Sequence, residues 1–183
     1  WFIEAGRMFF GDSPFAFRLF AILATGLSAA AVYRSAMLLF EDRTVAGYSV
    51  LWFVLSLGTA IELFLITPDA PSTLFWTLAI WTAAELYRSR NANWWLAFGL
   101  FAGLGLASKY TGFFLGAGIV LWVLAYRENR TWLRSWQLHA GGIVAMLIFA
   151  PVFHWNAAND FVSLSFQWSR TGVAEPSLER ALN

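Results

Sequence analysis

Residues Trp94 to Tyr126 read WWLAFGLFAGLGLASKYTGFFLGAGIVLWVLAY, and Lys109 is the one charge among them. Two apolar arms, Trp94–Ser108 and Gly112–Tyr126, flank the turn Lys109-Tyr110-Thr111. A membrane helix needs about 20 apolar residues. If the segment crosses twice, each arm falls several residues short, and the turn sits below the outer membrane surface. Backbone that turns at depth is tolerated only inside protein or beside a water-filled cavity. This hairpin therefore reads as part of an all-α, polytopic membrane helix bundle, with its lysine lining a recessed pocket.

The rest of the composition agrees. Hydrophobic residues make up 59% and charged residues 13% of the 183, against roughly 25% charged in a soluble domain. Mean hydropathy is +0.59. So much apolar surface cannot be hidden in one soluble core, and the surplus must face lipid. The 11 Trp suit the water–lipid boundary, where an apolar ring and a wet N–H are both satisfied. A net charge of +1 gives no general pull toward nucleic acid. The absence of Cys excludes disulfides, thiolate metal sites and a Cys nucleophile. No nucleotide-binding loop, zinc motif or nucleophile elbow is present.

Working outward, about six crossings and one interfacial helix emerge. Trp1–Phe10 is amphipathic, with Glu4 and Arg7 on one helical face. Gly11 ends it, and Ser13-Pro14 opens a new helix, Ser as N-cap and Pro in the first turn. Spans follow at about Phe15–Leu39, Val45–Ile66 and, after the break Thr67-Pro68-Asp69-Ala70-Pro71, on to Tyr87. The two short arms come next, then a polar loop at Arg127–Arg134 and a span at about Trp136–Val152. The segment from Trp155 onward is a loop or interfacial helix. Arg43, Arg88, Arg90, Arg127, Arg130 and Arg134 fall on one side, which the positive-inside rule makes cytoplasmic. The Asp69 turn, Lys109, the Trp155 segment and the amphipathic start then share the external side. The chain starts without Met and reads as an internal fragment of a longer polytopic protein, residues 1–183 belonging to one transmembrane domain.

Lys109 is the first candidate for chemistry. It is the only Lys beside eleven Arg, and Thr111-Gly112 begins a helix next to it. A helix N-terminus with free N–H groups and a compact ammonium both suit a phosphate. The alternative is a lysine that snorkels to mark a membrane edge. Asp69 is the second candidate. It, or Thr67, can cap a helix whose first turn holds prolines; it can equally face the Lys109 cavity, orienting the lysine, holding a sugar hydroxyl or helping to bind a metal. Glu62 lies two turns before Asp69, inside a span, where an acid usually faces protein. Glu85 reads as a solvated interface residue. His154, Trp155, Asn156 and Arg170 sit at an external mouth, where hydrogen-bonded interface roles and ligand roles are both open.

The order of short motifs resembles bacterial GT-C glycosyltransferases of the protein-mannosyltransferase and lipid A aminoarabinose-transferase type. Phe10-Gly11-Asp12-Ser13-Pro14-Phe15 with Arg18-Leu19 resembles the entry to their second membrane helix. Thr67-Pro68-Asp69-Ala70-Pro71 matches their TPDAP turn, and Gly105–Thr111 resembles their lysine turn. Pro151-Val152, Trp155-Asn156-Ala157, Phe161-Val162-Ser163 and Phe166-Gln167 resemble an external segment. The resemblance implies a multi-pass enzyme of the bacterial inner membrane with its active site on the periplasmic or exterior face. It implies a polyprenyl-phosphate-sugar donor, a hexosyl or pentosyl group transferred with inversion, and a lipid, glycan or protein acceptor. Lys109, with Tyr110 and Thr111, then corresponds to the lipid-phosphate site, and Asp69 to a supporting catalytic acid. His154, Trp155, Asn156 and Arg170 fall in the acceptor or external-loop region, where Asn159-Asp160 and Ser169 depart from the family's usual His. The family's leading Asp-Glu pair lies in a first external loop that these residues do not include. The expected fragment lacks that loop and the first helix, and is inactive alone. No metal site or cofactor is assigned, and a divalent metal at the external acids stays open. The rival class is a transporter or flippase for lipid-linked sugars, which would share the recessed cation and broken helices; no internal repeat supports it.

Overall fold

The computed structural model describes residues 2–64 and 69–170. Among them the regular structure is entirely helical: α1 (Phe2–Phe10), α2 (Pro14–Phe40), α3 (Arg43–Leu55), α4 (Leu57–Phe64), α5 (Asp69–Ser89), α6 (Trp94–Ser108), α7 (Gly112–Ala125), a 3-10 turn (Asn129–Arg134), α8 (Trp136–Ala158) and α9 (Val162–Arg170). The chain divides after Phe149 into two compact units.

The first turns form as their residues dictate. In α1, Arg7 pairs with Glu4 at 3.1 Å and with Asp12 at 2.6 Å, while Met8 and Phe9 are 78% and 75% exposed. Gly11 closes the helix at φ +67, a left-handed conformation that a Cβ disfavours. Glu41 leaves α2 at φ +55. Asp42 then caps α3, its carboxylate accepting from the amides of Thr44 (2.6 Å) and Val45 (3.3 Å). These backbone bonds hold the Asp42 carboxyl below the usual aspartate range.

Among the described residues, length and hydropathy suit a membrane crossing in two helices, at Arg18–Phe40 and Trp136–Ala158. The expected span at Val45–Ile66 is broken. Ser56 takes φ −62, ψ 143 and caps α4, its hydroxyl accepting from the Thr59 amide at 3.3 Å and donating to the Phe53 carbonyl at 2.8 Å. A hydroxyl that competes with the helix's own bonds ends the helix inside an apolar run. The side chain of Glu62 and residues 65–68 lie outside the described residues. The arms α6 and α7 are 15 and 14 residues long, short as the sequence implies. In contrast, α8 runs through Pro151 to Ala158, well beyond Val152.

At 21 residues, α5 is long enough to cross, and its buried side carries the hydroxyls of Ser72, Thr77 and Thr82. It packs on α2 along one side and α6 along the other. Residues Ala70, Ser72, Leu74, Thr77, Ala79, Thr82, Ala84 and Leu86 are all buried. The interior hydroxyls return to their own helix: Thr77 donates to the Leu74 carbonyl at 2.9 Å and Thr82 to that of Ala79 at 2.8 Å. On α2, Ala24, Ser28, Ala31 and Ser35 are buried; their spacing makes one face of small residues, which lets two helices approach closely. Glu85, read as solvated, is only 12% exposed and pairs with Arg34 of α2 at 3.1 Å. It also accepts from the Trp81 indole at 3.2 Å.

The Arg-bearing loops meet at one end of the first unit. Arg88 pairs with Glu41. Arg90 reaches Asn129 at 3.3 Å and Glu128 at 3.5 Å and lies over the Tyr87 ring at 5.7 Å. Arg130 donates to the Leu124 carbonyl at the end of α7 at 2.8 Å. Beneath them Trp95, Phe98, Val123, Trp132, Leu86 and Ala79 form the core. Trp95 meets Phe98 and Trp132 edge to face, with ring centroids 5.8 and 6.3 Å apart.

The early turns of α8 cross α6 at glycines. A Cβ on Gly99 would lie 2.0 Å from the Gly141 carbonyl oxygen, and one on Gly103 would lie 2.8 Å from the Ala145 Cα. Gly99 and Gly103, four apart, meet Gly141 and Ala145, also four apart. This small-xxx-small pairing permits backbone contact. Gly99→Ala should therefore destabilise the protein, by about 1–3 kcal/mol as for other overpacked cores. Gly116→Ala, where a Cβ meets nothing within 4 Å, should not. Thermal unfolding of the two variants in detergent checks this contrast.

Candidate functional site: the Lys109–Asp69 pair

The end of α5 opposite the arginines carries the candidate site. Helix α6 stops at Ser108 because Lys109 turns extended, at φ −154, ψ 135, while its amide still bonds the Gly105 carbonyl at 3.0 Å. The chain reverses within three residues. The amides of Gly112, Phe113 and Phe114 bond the carbonyls of Lys109, Tyr110 and Thr111 at 3.0, 3.1 and 2.9 Å. Gly112 then rests on the last turns of α6, where a Cβ would lie 2.7 Å from the Leu106 Cα and 2.8 Å from its amide nitrogen. Gly105 in turn faces α5, with a virtual Cβ 3.5 Å from Phe75 and Trp76. The turn is tight because no side chain stands between Gly112 and the Leu106 backbone.

That geometry brings the two leading candidates together. The Lys109 ammonium donates to the Asp69 carboxylate, forming an ion pair across 40 positions of sequence. Asp69 is the first described residue of α5, so its charge also lies in the helix's first turn, where an anion is favoured. The lysine side chain is 44% exposed and that of the aspartate 38%. The pair is therefore reachable, and its strength is that of an exposed ion pair.

The neighbours are placed differently from what the sequence implies. The first amides of α7 are spent on the turn, so the attraction for an anion comes chiefly from the Lys109 charge. Thr111 is exposed and its hydroxyl makes no cap bond. The Tyr110 ring stands edge-on to Phe149, centroids 6.4 Å apart, and Phe113 flanks the same ring at 5.7 Å. Phe149 thus props the turn from α8, a role no spacing in the sequence signals.

His154, Trp155, Asn156 and Arg170 fall in the second unit. His154 and Trp155 are exposed on α8, and Asn156 is buried. Asn156 donates to the Val152 carbonyl at 3.0 Å, and its own carbonyl accepts from Asn159 at 3.1 Å and Phe161 at 2.8 Å. It organises the turn into α9, where Asp160 and Phe161 both take φ +52. The Arg170 side chain lies outside the described residues. Among the described residues no three His, Asp or Glu side chains gather as metal ligands do. A cleft of about 650 Å³ lies at the other end of α5, between Phe40, Ile80, Tyr87, Trp122 and Tyr126. Tyr87 is 18 residues from Asp69, roughly 27 Å along the helix at 1.5 Å per residue, so the cleft is separate from the ion pair.

Residues 1–155 match the dolichyl-phosphate-mannose-protein mannosyltransferase family. The chain belongs to that family. Two curated relatives carry the name undecaprenyl phosphate-alpha-4-amino-4-deoxy-L-arabinose arabinosyl transferase. The one from Erwinia tasmaniensis is 30% identical over 82% of this chain and 28% of its own length. The one from Pseudomonas aeruginosa is 32% identical over 80% of this chain and 27% of its own. The chain thus spans about a quarter of the length of these relatives. No solved structure matches.

The hairpin predicts its own sensitivity. The sequence has no Cys, so Asp69→Cys with Lys109→Cys makes a clean pair for a short bis-thiol crosslinker. The pair should crosslink efficiently, and adding Gly112→Ala should cut the yield severalfold, because the new methyl meets backbone that cannot yield. Equal yields with and without Gly112→Ala would mean that this glycine does not set the turn.

Proposed function

We propose that this chain is part of a membrane glycosyltransferase that moves a sugar from a polyprenyl-phosphate carrier to a lipid, glycan or protein acceptor. The observation that carries the reading is the Lys109–Asp69 pair on the tight α6–α7 turn, in a member of a family named for transfer from a lipid-phosphate sugar. In this reading Lys109 binds the lipid phosphate, with Tyr110 and Thr111 on the same turn. Asp69 is the supporting acid that holds the lysine. The acceptor hydroxyl attacks the sugar's anomeric carbon while the carbon–oxygen bond to phosphate breaks. The electron pair leaves on the phosphate oxygen, and the acceptor proton passes to a carboxylate base. An ammonium beside the departing oxygen lowers the barrier because charge grows there in the transition state. His154, Trp155, Asn156 and Arg170 belong to the acceptor side.

The same reading places the protein in a bacterial inner membrane with about six crossings in these residues and the pair on the periplasmic or exterior face. The segregation of Arg88, Arg90 and Arg130 to the opposite end of the unit supports that orientation. In intact cells, full-length protein carrying Thr111→Cys should react with an impermeant thiol reagent and Asn91→Cys should not; both positions are exposed. Labelling at Asn91 and not at Thr111 reverses the topology.

Lys109→Met keeps the apolar stem and removes the charge. A hydrogen bond to a charged group is worth about 1.5–3 kcal/mol, so undecaprenyl phosphate should bind purified full-length variant roughly 10- to 150-fold more weakly, with slower turnover. Lys109→Arg should restore only part of the turnover, since a planar fork does not replace a compact ammonium. Unchanged affinity and rate in Lys109→Met would leave the lysine a membrane-edge marker.

A further inference from the structure

We infer that Asp69 is the group that ejects the spent lipid phosphate from Lys109, so that the ion pair is a product-release device. This rests on the phosphate-site reading above. Lys109 and Asp69 already form a direct contact, so any phosphate bound to the ammonium must share it with, or take it from, the carboxylate. The two states of the carrier differ in charge. The sugar-loaded carrier is a phosphodiester with one negative charge. After transfer it is a phosphomonoester, whose second pKa of about 6 gives it about −1.5 to −2 at neutral pH. A bare ammonium would therefore hold product more tightly than donor, and the enzyme would stall on its own product.

A carboxylate beside the ammonium corrects this bias. It competes with either phosphate for the lysine, and it repels the monoester more than the diester. The geometry suits such an exchange. Both side chains are partly exposed, 44% for Lys109 and 38% for Asp69, so neither is locked in a buried pair that would be expensive to open. The backbones do not need to move: Asp69 sits on the first turn of the well-packed α5, and the Lys109 turn is held by three amide bonds. Only the flexible lysine stem changes partner. Asp69 acts here through Lys109, as a positioning residue.

The experiment measures binding of undecaprenyl phosphate at pH 7.5, with steady-state and single-turnover transfer, in full-length wild type, Asp69→Asn, Lys109→Met and the double variant. Asp69→Asn should bind undecaprenyl phosphate about fivefold more tightly, the scale of an exposed ion pair. It should bind the sugar-loaded donor with a smaller gain. Its first turnover should be faster than the turnovers that follow, giving a burst that the wild type lacks. In the Lys109→Met background the tightening should largely vanish. Asp69→Ser, which also suits a helix start, serves as a second variant should the Asn form insert poorly. Unchanged or weaker product binding in both Asp69 variants, with Lys109→Met still impairing binding, overturns the release role and leaves the phosphate site intact. No effect of Lys109→Met removes the phosphate site and this inference with it.

Discussion

Gly112 sits so close to the last turns of α6 that a single methyl would strike the Leu106 backbone, and the candidate site depends on that contact. It lets the chain reverse in three residues, which in turn leaves Lys109 extended at the tip of the hairpin. Gly105, one turn earlier on α6, faces the Phe75 and Trp76 side chains of α5 on the other side. Lys109 is thereby brought within reach of Asp69 at the start of α5. The ion pair is weak in itself and does not build the fold. It is placed by backbone packing that glycine makes possible, which is how a 15-residue and a 14-residue helix can form a defined turn without long loops.

The two ends of α5 are built to different purposes. At the arginine end, charges tie loops together: Arg88 to Glu41, Arg90 to Glu128 and Asn129, Arg130 to the end of α7. Trp95, Trp132 and Phe98 pack beneath them. At the other end the partly exposed Lys109–Asp69 pair stands on well-supported backbone. Crosslinked loops resist movement, whereas a partly exposed pair exchanges partners more readily, because its Coulomb attraction is offset by water. Rigidity and exchangeability thus lie at opposite ends of one helix, with Asp69 and Tyr87 roughly 27 Å apart.

Much of this fold is legible in the sequence because its punctuation is local. Gly11 and Ser13-Pro14 bound α1 and α2, α3 starts at Arg43 where a span from about Val45 is expected, and Lys109-Tyr110-Thr111 separates α6 from α7, each within a residue or two of the expected place. The partnership of Lys109 with Asp69 is also among the readings the sequence offers, since both fall on the same side of the bundle. What escapes are features that depend on a partner from elsewhere in the chain. Ser56 breaks an apolar run whose hydropathy is continuous, because its hydroxyl finds Phe53 and Thr59. Glu85 looks solvated by its place near a helix end, yet Arg34 lies 51 positions away and the two meet. The first amides of α7 look free from sequence, but the tight turn consumes them. The crossing count is hard to read for a related reason: α5 buries Ser72, Thr77 and Thr82 against neighbouring helices, so hydropathy understates its place in the bundle.

The use of Lys rather than Arg at position 109 follows from the same physics. Lys109 stands against eleven Arg in the chain, and those that anchor loops exploit the planar fork, as Arg90 does in touching both Asn129 and Glu128. A guanidinium in that turn could bind a carboxylate and a phosphate together through separate N–H pairs, and such bidentate contacts are strong. It would trap both anions. A compact ammonium presents its charge at one point on a flexible stem, so two anions at that point compete. Where a site must take a phosphate, stabilise it and then give it up, a cation that can be contested suits the task better than one that can be shared.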